Sequence, residues 1–499
     1  MSQLKKGALL SYVNIALTNV VGLILTPFII RSLGDSEYGL YILIGSIIGY
    51  ISILDLGLNN TIIRYVSKYR AEKDKKGEES FLATTMLIYF FISIVTVIIG
   101  VILDFNLETF FKDSLTIEEV AKAKKMFIIL IFNLAITLPG GAFTAICNAY
   151  EHFVFPRILR IIKYISRATI IITLLFYFPY AMTLVWIDTA LNLTVIAISA
   201  FYVFKKLKVK FRFHKWNNEL VKNIFSYSIW VFITAMVARL QWNIGQVVLG
   251  ISANTATVAI FGVGIMLGSY YGAFASAINT LLLPKATKMS VSQNNAAAYN
   301  ATIQKVGRIN GFILFLVLSI FYIYGQEFVV LWVGKTYLPS WEIAFLIMIA
   351  MTLPLMQWFG NSILEAKKKN RFRSIISLVT VSLAVLLAIF LVPKHQFRGV
   401  IYPLCVAILL NGIIMSWYFY KIFGFHFYAF LKNTIFKIVV CVLPIVLLFS
   451  YLKSFWEIKS WFNLAVQIMF FTIIYLVTLL LIIMNPEEKK MILNKRRLK

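Results

Sequence analysis

The chain is poor in acid. Of its 499 residues only 21 are Asp or Glu, against 48 Lys or Arg, and charged residues together make up 14%, well below the roughly 25% of an ordinary soluble domain. Cysteine is rarer still. Cys147, Cys405 and Cys441 stand far apart without C-x-x-C spacing, which argues against a disulfide framework and a thiolate zinc site. His152, His214, His395 and His426 contain no i,i+4 pair, so no metal site is expected. Long polar stretches are missing too: every connection between apolar runs is too short for a soluble domain. Function must therefore reside within a membrane or at its two faces.

What is present is apolar sequence. Hydrophobic residues make up 60% of the chain, and the mean hydropathy is +0.83. A helical crossing needs about 20 mostly apolar residues, and the runs here are continuous rather than alternating, which favours helices over a barrel. Spans are expected at 7–30, 38–62, 81–103, 126–149, 155–178, 180–204, 223–249, 257–283, 309–325, 341–364, 374–392, 399–420, 433–452 and 461–484. The first is too long for a signal-peptide core and is read as a retained span. Residues 104–125 read as a short amphipathic surface helix between two of these spans.

The net charge of +27 would suggest nucleic acid in a soluble protein. Here it does not, because the basic residues gather between apolar runs, as the positive-inside rule requires. With the N-terminus inside, inner segments carry 34 of the 48 basic residues and outer segments 10, with four inside spans. This bias holds around the whole alternation, so an even number of crossings with both termini cytoplasmic is expected.

A loose internal repeat adds an architecture. Ser11-Tyr12 and Leu33-Gly34 bracket the first span as Ser226-Tyr227 and Leu249-Gly250 bracket the seventh, and NNTIIRYVSKY has a counterpart in INTLLLPKATKM. Six crossings separate the copies, which predicts two similarly oriented halves facing a cavity.

Charges inside spans are costly and are functional candidates. In PRILRIIKYISRA, Arg157, Arg160, Lys163 and Arg167 fall at i, i+3, i+6 and i+10, within about 120° of one helical face. Arg157 and Arg160 read as interfacial anchors, whereas Arg167 lies about 18 Å deep at 1.5 Å per residue. Arg239 is deeper still from the inner side, and its structural reading is a bond to a backbone carbonyl or an ion pair with Asp188. Cations at several depths suit phosphate or diphosphate, because guanidinium groups bind phosphate oxygens in pairs. Arg167, Arg239, Lys163 and Arg64 are therefore the candidate substrate-binding residues. In LDLGLNN, Asp55, Asn59 and Asn60 join Asp188 as candidates for coupling or gating, with Gly57 marking a helix break. Asp55 reads equally as a structural hydrogen-bond acceptor there.

The stretches TPFIIRSLGDSEYGLY (26–41) and LDLGLNNTIIRYVSKYRA (54–71) resemble the polysaccharide-transporter branch of the multidrug/oligosaccharidyl-lipid/polysaccharide (MOP) exporter superfamily, which includes the Wzx-type O-antigen flippases. That resemblance implies an all-α integral membrane fold of about fourteen transmembrane helices, with two pseudo-symmetric six-helix bundles around a central cavity. The bundles would be residues 1–215 and 216–425, followed by two additional helices and a basic tail in 426–499. It implies a bacterial plasma-membrane flippase, not an enzyme, that moves undecaprenyl-diphosphate-linked oligosaccharide to the outer leaflet by alternating access. No cofactor is implied, and coupling to a proton or sodium gradient is open. Expected partners are the polyprenyl-diphosphate-linked glycan and membrane lipids, with a polymerase and a chain-length regulator as further candidates and no nucleic acid. The first span carries only Arg31, at its outer end, which argues for a repeat-unit glycan over lipid II. Two alternatives stand beside this reading: a cation-coupled multidrug exporter, and a membrane glycosyltransferase or polymerase using Asp35-Ser36-Glu37. The second is weakened by the short loop, where a helix start accounts for the acids.

Overall fold

The computed structural model describes residues 3–214, 218–292, 296–367, 369–486 and 488–489. The basic tail beyond 489 lies outside the described residues, as do the side chains of 223–228 and 276–288, which carry part of the internal repeat.

Helices α1 (Gln3–Leu33), α2 (Asp35–Ile51), α3 (Leu58–Ala71), α4 (Lys75–Phe111), α5 (Ile117–Ala149), α6 (Val154–Tyr177) and α7 (Ala181–Phe201) follow one another through tight connections. They continue as α8 (Asn218–Ser252), α9 (Thr255–Ser292), α10 (Ala296–Val333), α11 (Pro339–Met356), α12 (Trp358–Ala366) and α13 (Arg371–His395). The last are α14 (Phe397–Phe423), α15 (Phe427–Phe430), α16 (Lys437–Lys453) and α17 (Trp461–Thr478). Among the described residues, twelve helical segments are long and apolar enough to cross a membrane. They include α2 and α3 together as one span and exclude α6 and α8. The protein is an all-α, multi-pass membrane protein. Large apolar side chains face outward, among them Phe105, Phe176 and Phe390 at 79%, 82% and 76% exposure. Such a surface is at home in hydrocarbon rather than water.

The described residues of 1–262 with 388–400 form one compact unit, and those of 263–387 with 401–489 form another. The first unit is built on the contacts of α4 with α5, α1 with α6, α5 with α7 and α2 with α8.

The expected surface helix at 104–125 is not separate. Helix α4 runs on to Phe111 and α5 begins at Ile117, so both spans extend past the bilayer length. Of the apolar residues of this stretch, Leu107, Phe111, Leu115, Val120 and Ala123 are buried, whereas Phe105, Phe110 and Ile117 are exposed. A capping box starts α5: Thr116 accepts from the Glu119 backbone N–H at 3.2 Å, and Glu119 accepts from the Thr116 N–H at 2.9 Å. Asp35 and Glu37 occupy the first turn of α2, where acids complement the helix dipole. Glu37 accepts from the Ala181 N–H at 2.9 Å and pairs with Lys122 at 2.7 Å.

The expected break in the second span is present. α2 gives way to a tight turn at Ser52–Asp55, then Leu56 (φ 51°) and Gly57 (φ 68°) take left-handed backbone before α3 starts. Glycine adopts that conformation without a steric cost, whereas leucine does not.

Candidate functional site: a basic face on α6

α6 packs against α1 and α7, and Arg157, Lys163 and Arg167 bond to these neighbours. At the first turn Arg157 donates to Ser11 Oγ at 2.5 Å and to the Phe153 carbonyl at 2.6 Å. Asn14 returns a bond to the Arg157 carbonyl at 3.1 Å. Arg157 therefore ties α1 to α6. Arg160 is exposed.

One turn on, Lys163 Nζ donates to Asn192 Oδ1 of α7. Asn192 donates to Asn133 Oδ1 at 3.1 Å, Thr137 donates to the same oxygen at 2.9 Å, and Asn133 donates to Thr189 Oγ1 at 3.1 Å. These amides and hydroxyls join α5 to α7, and Lys163 ties α6 to them. A pocket of about 210 Å³ opens beside it, lined by Arg160, Lys163 and Tyr164 from α6, Thr144 from α5, and Asn192 and Ser199 from α7.

A further turn on, Arg167 is matched by an acid. Its Nε donates to Asp188 Oδ1 at 2.5 Å and its Nη2 to Asp188 Oδ2 at 3.0 Å. Tyr41 of α2 donates to Asp188 Oδ2 at 2.9 Å and accepts from Arg167 Nη2 at 3.3 Å. Asp188 thus serves Arg167, where the sequence suggested Arg239 as its partner.

The remaining candidates gather at the break in the second span. Asp55 Oδ1 accepts from Tyr89 OH at 3.1 Å and from Asn59 Nδ2 at 3.2 Å, which makes it a hydrogen-bonded acceptor. Asn59 Oδ1 is buried and without a partner. Arg239 of α8 is exposed and reaches the same break, donating to Ser52 Oγ at 3.2 Å, while Tyr50 OH donates to its carbonyl at 3.2 Å. Asn60 and Arg64 are exposed on α3. No group of three His, Cys, Asp or Glu side chains able to hold a metal occurs among the described residues.

The sequence profile of the family described as "Polysaccharide biosynthesis protein" matches residues 4–290, more than half of the chain. The chain belongs to that family. It is 22% identical to the "Uncharacterized membrane protein EpsK" of Bacillus subtilis (strain 168) over 491 residues, covering 95% of this chain and 94% of that one. It is 20% identical to the "Putative O-antigen transporter" of Shigella flexneri, covering 78% and 91%. In fold it is similar to the lipid II flippase MurJ in an inward closed conformation, with a TM-score of 0.72 at 15% identity over 95% and 97% of the two chains. An inward-facing multidrug resistance MATE family transporter of the MOP superfamily follows at a TM-score of 0.66 and 12% identity, over 80% and 94%. The chain thus belongs to the polysaccharide biosynthesis protein family and shares the fold of that lipid II flippase and of that MATE family transporter.

Several residues of the site escaped the sequence reading. Tyr41, Tyr89, Asn133 and Asn192 are uncharged, and in spans full of aromatic and amide residues nothing marks them. The one available signal is spacing: Asp188 and Asn192 are four apart on α7, as Lys163 and Arg167 are on α6, so two rungs face each other across the pair.

Proposed function

We propose that the transporter is a flippase for undecaprenyl-diphosphate-linked oligosaccharide repeat units. It moves them from the cytoplasmic to the outer leaflet of a bacterial plasma membrane by alternating access, for surface polysaccharide synthesis. The observation that carries this reading is the α6 face, which presents Arg160 and Lys163 at a polar pocket with no acid paired to either among the described residues. Uncompensated cation at membrane depth is expensive unless an anion visits it. Family membership supports a polysaccharide cargo, and the name of the Shigella flexneri relative points the same way. In this reading Lys163 meets the diphosphate at the α6 pocket, Arg239 and Arg64 meet it elsewhere on its path as the two proposed bundles, 1–215 and 216–425, change access, and the polyprenyl tail stays in lipid. Arg167, already paired, holds α6 against α7. Both termini are cytoplasmic. Deletion of the gene should leave lipid-linked glycan accumulating on the inner leaflet, and re-expression should clear it. Normal outer-leaflet glycan in the deletion strain would defeat the proposal.

A second reading has its own observation. Asp55, held by Tyr89 and Asn59 at a helix break, is a carboxylate suited to proton or sodium coupling, and the fold is shared with a MATE transporter. A cation-coupled drug exporter would confer resistance to cationic dyes, whereas a flippase would not.

A further inference from the structure

We infer that the α5–α7 pocket is a diphosphate-binding site whose charged contacts are Arg160 and Lys163. The inference rests on the flippase reading for the identity of the cargo, but not for the existence of the site.

Three observations carry it. The first is charge. Arg167 is neutralised by Asp188, so the next turn of α6 adds no net attraction, whereas Lys163 is held by the neutral Asn192 amide and Arg160 pairs with no acid among the described residues. Two cations three residues apart lie on one helical face roughly 5–6 Å apart at Cβ, a spacing suited to an anion with charge spread over two centres. The second is donor supply. The hydroxyls of Thr144, Tyr164 and Ser199 line the pocket and make no hydrogen bond among the described residues, so they are available to phosphate oxygens. The third is size. About 210 Å³ is room for about seven waters at ~30 Å³ each, and lies below the roughly 300–1,000 Å³ of sites that enclose a whole drug-sized ligand. That is room for a diphosphate.

Asn192 has a defined part. Its amide is fixed from behind by Asn133, so its carbonyl oxygen holds the Lys163 ammonium in place through an uncharged contact. An aspartate there would cancel the charge that the site needs.

The test is binding of inorganic pyrophosphate to the full-length protein in nanodiscs, followed by calorimetry. The wild type should bind, and affinity should fall as salt rises. Arg160→Gln and Lys163→Gln should each weaken binding about tenfold or more, and Asn192→Asp should do the same. The charge-conserving Arg160→Lys and Lys163→Arg should stay within a few fold, which separates lost charge from lost folding. Absence of binding to the wild type, or unchanged affinity in both glutamine variants, overturns the proposal. Competition by a short polyprenyl diphosphate would support the site as the seat of the lipid-linked cargo. Pyrophosphate binding without that competition would support it as a site for free diphosphate, and would leave the flippase reading to be judged by the leaflet assay alone.

Discussion

Arg167 and Asp188 meet as a fork, Nε to Oδ1 at 2.5 Å and Nη2 to Oδ2 at 3.0 Å, and Tyr41 hydrogen-bonds both partners. Each side chain is 23% exposed, so neither charge is well placed to find water if its partner is lost. Removing one partner of a largely buried pair strands the other, a penalty of several kcal/mol when burial is complete and about 2 kcal/mol at this exposure. Asp188→Asn and Arg167→Gln should each lower the thermal midpoint in detergent by several degrees. The double variant should recover much of that loss. A double variant less stable than either single would show that the two charges do not act as a pair.

Close approach of backbone makes the second prediction. A Cβ added at Gly39 would lie 1.9 Å from the Thr255 carbonyl oxygen, so only glycine lets the start of α2 touch the start of α9. Beside it Glu119 Oε1 accepts from Ser36 Oγ at 2.5 Å and from Thr255 Oγ1 at 2.9 Å. In a background with Cys147, Cys405 and Cys441 replaced, Ser36→Cys with Thr255→Cys should cross-link readily. Adding Gly39→Val should reduce the yield severalfold by holding the two helix starts apart. An undiminished yield would mean that the contact does not depend on glycine.

The second compact unit holds a buried latch. Arg308 on α10 donates to Glu488 at 2.7 and 3.0 Å, to the Ile483 carbonyl at 2.7 Å and to the Asn433 carbonyl at 3.0 Å. Both carbonyls belong to wide helical turns, Leu431–Phe436 and Leu479–Ile483, whose loosened hydrogen bonding leaves acceptors for the guanidinium. Burial pushes the Glu488 carboxyl up, but the Arg308 side chain and the Asn485 N–H outweigh it and hold the carboxyl below the usual range. A lowered pKa contributes stability that is fully present above the ordinary carboxylate value of about 4.3 and is lost as pH falls through the lowered value. Glu488→Gln should therefore be less stable than wild type at pH 7, and the gap should narrow once pH drops below about 4. A gap independent of pH would rule out the ionised carboxylate as its source.

Much of this architecture was legible in the sequence, because apolar runs and loop charge obey one strong constraint, the cost of polar groups in hydrocarbon. The break at Asp55 and Gly57 was legible for the same reason, since an acid and a glycine inside a span need an explanation. The pairing of Arg167 with Asp188 was not. It depends on which helix faces α7, and chain order says nothing about whether α6 or α8 supplies the arginine. Arg308 was hidden differently. Counted as one of several inner-loop cations, it sits within α10 with its head among backbone carbonyls, and sequence cannot tell a solvated arginine from one that caps two irregular turns. In residues 104–125 scattered acids and lysines look like a separate surface helix, but α4 and α5 run on through the stretch and bury Leu107, Phe111, Val120 and Ala123.

Arg239 separates cargo contact from scaffold. It is exposed, its one side-chain hydrogen bond among the described residues is to Ser52 Oγ at 3.2 Å, and that bond joins α8 to the break between α2 and α3. Losing an exposed neutral–cation bond of this kind should change stability by no more than about 0.5 kcal/mol. If the guanidinium instead meets the diphosphate, Arg239→Ala should abolish complementation of a deletion strain at normal expression while leaving the thermal midpoint within a degree or two of wild type. Arg239→Lys should keep part of the activity, because charge survives but the paired N–H geometry does not. Full complementation by Arg239→Ala would remove it from the proposed cargo path and leave the cationic work to α6.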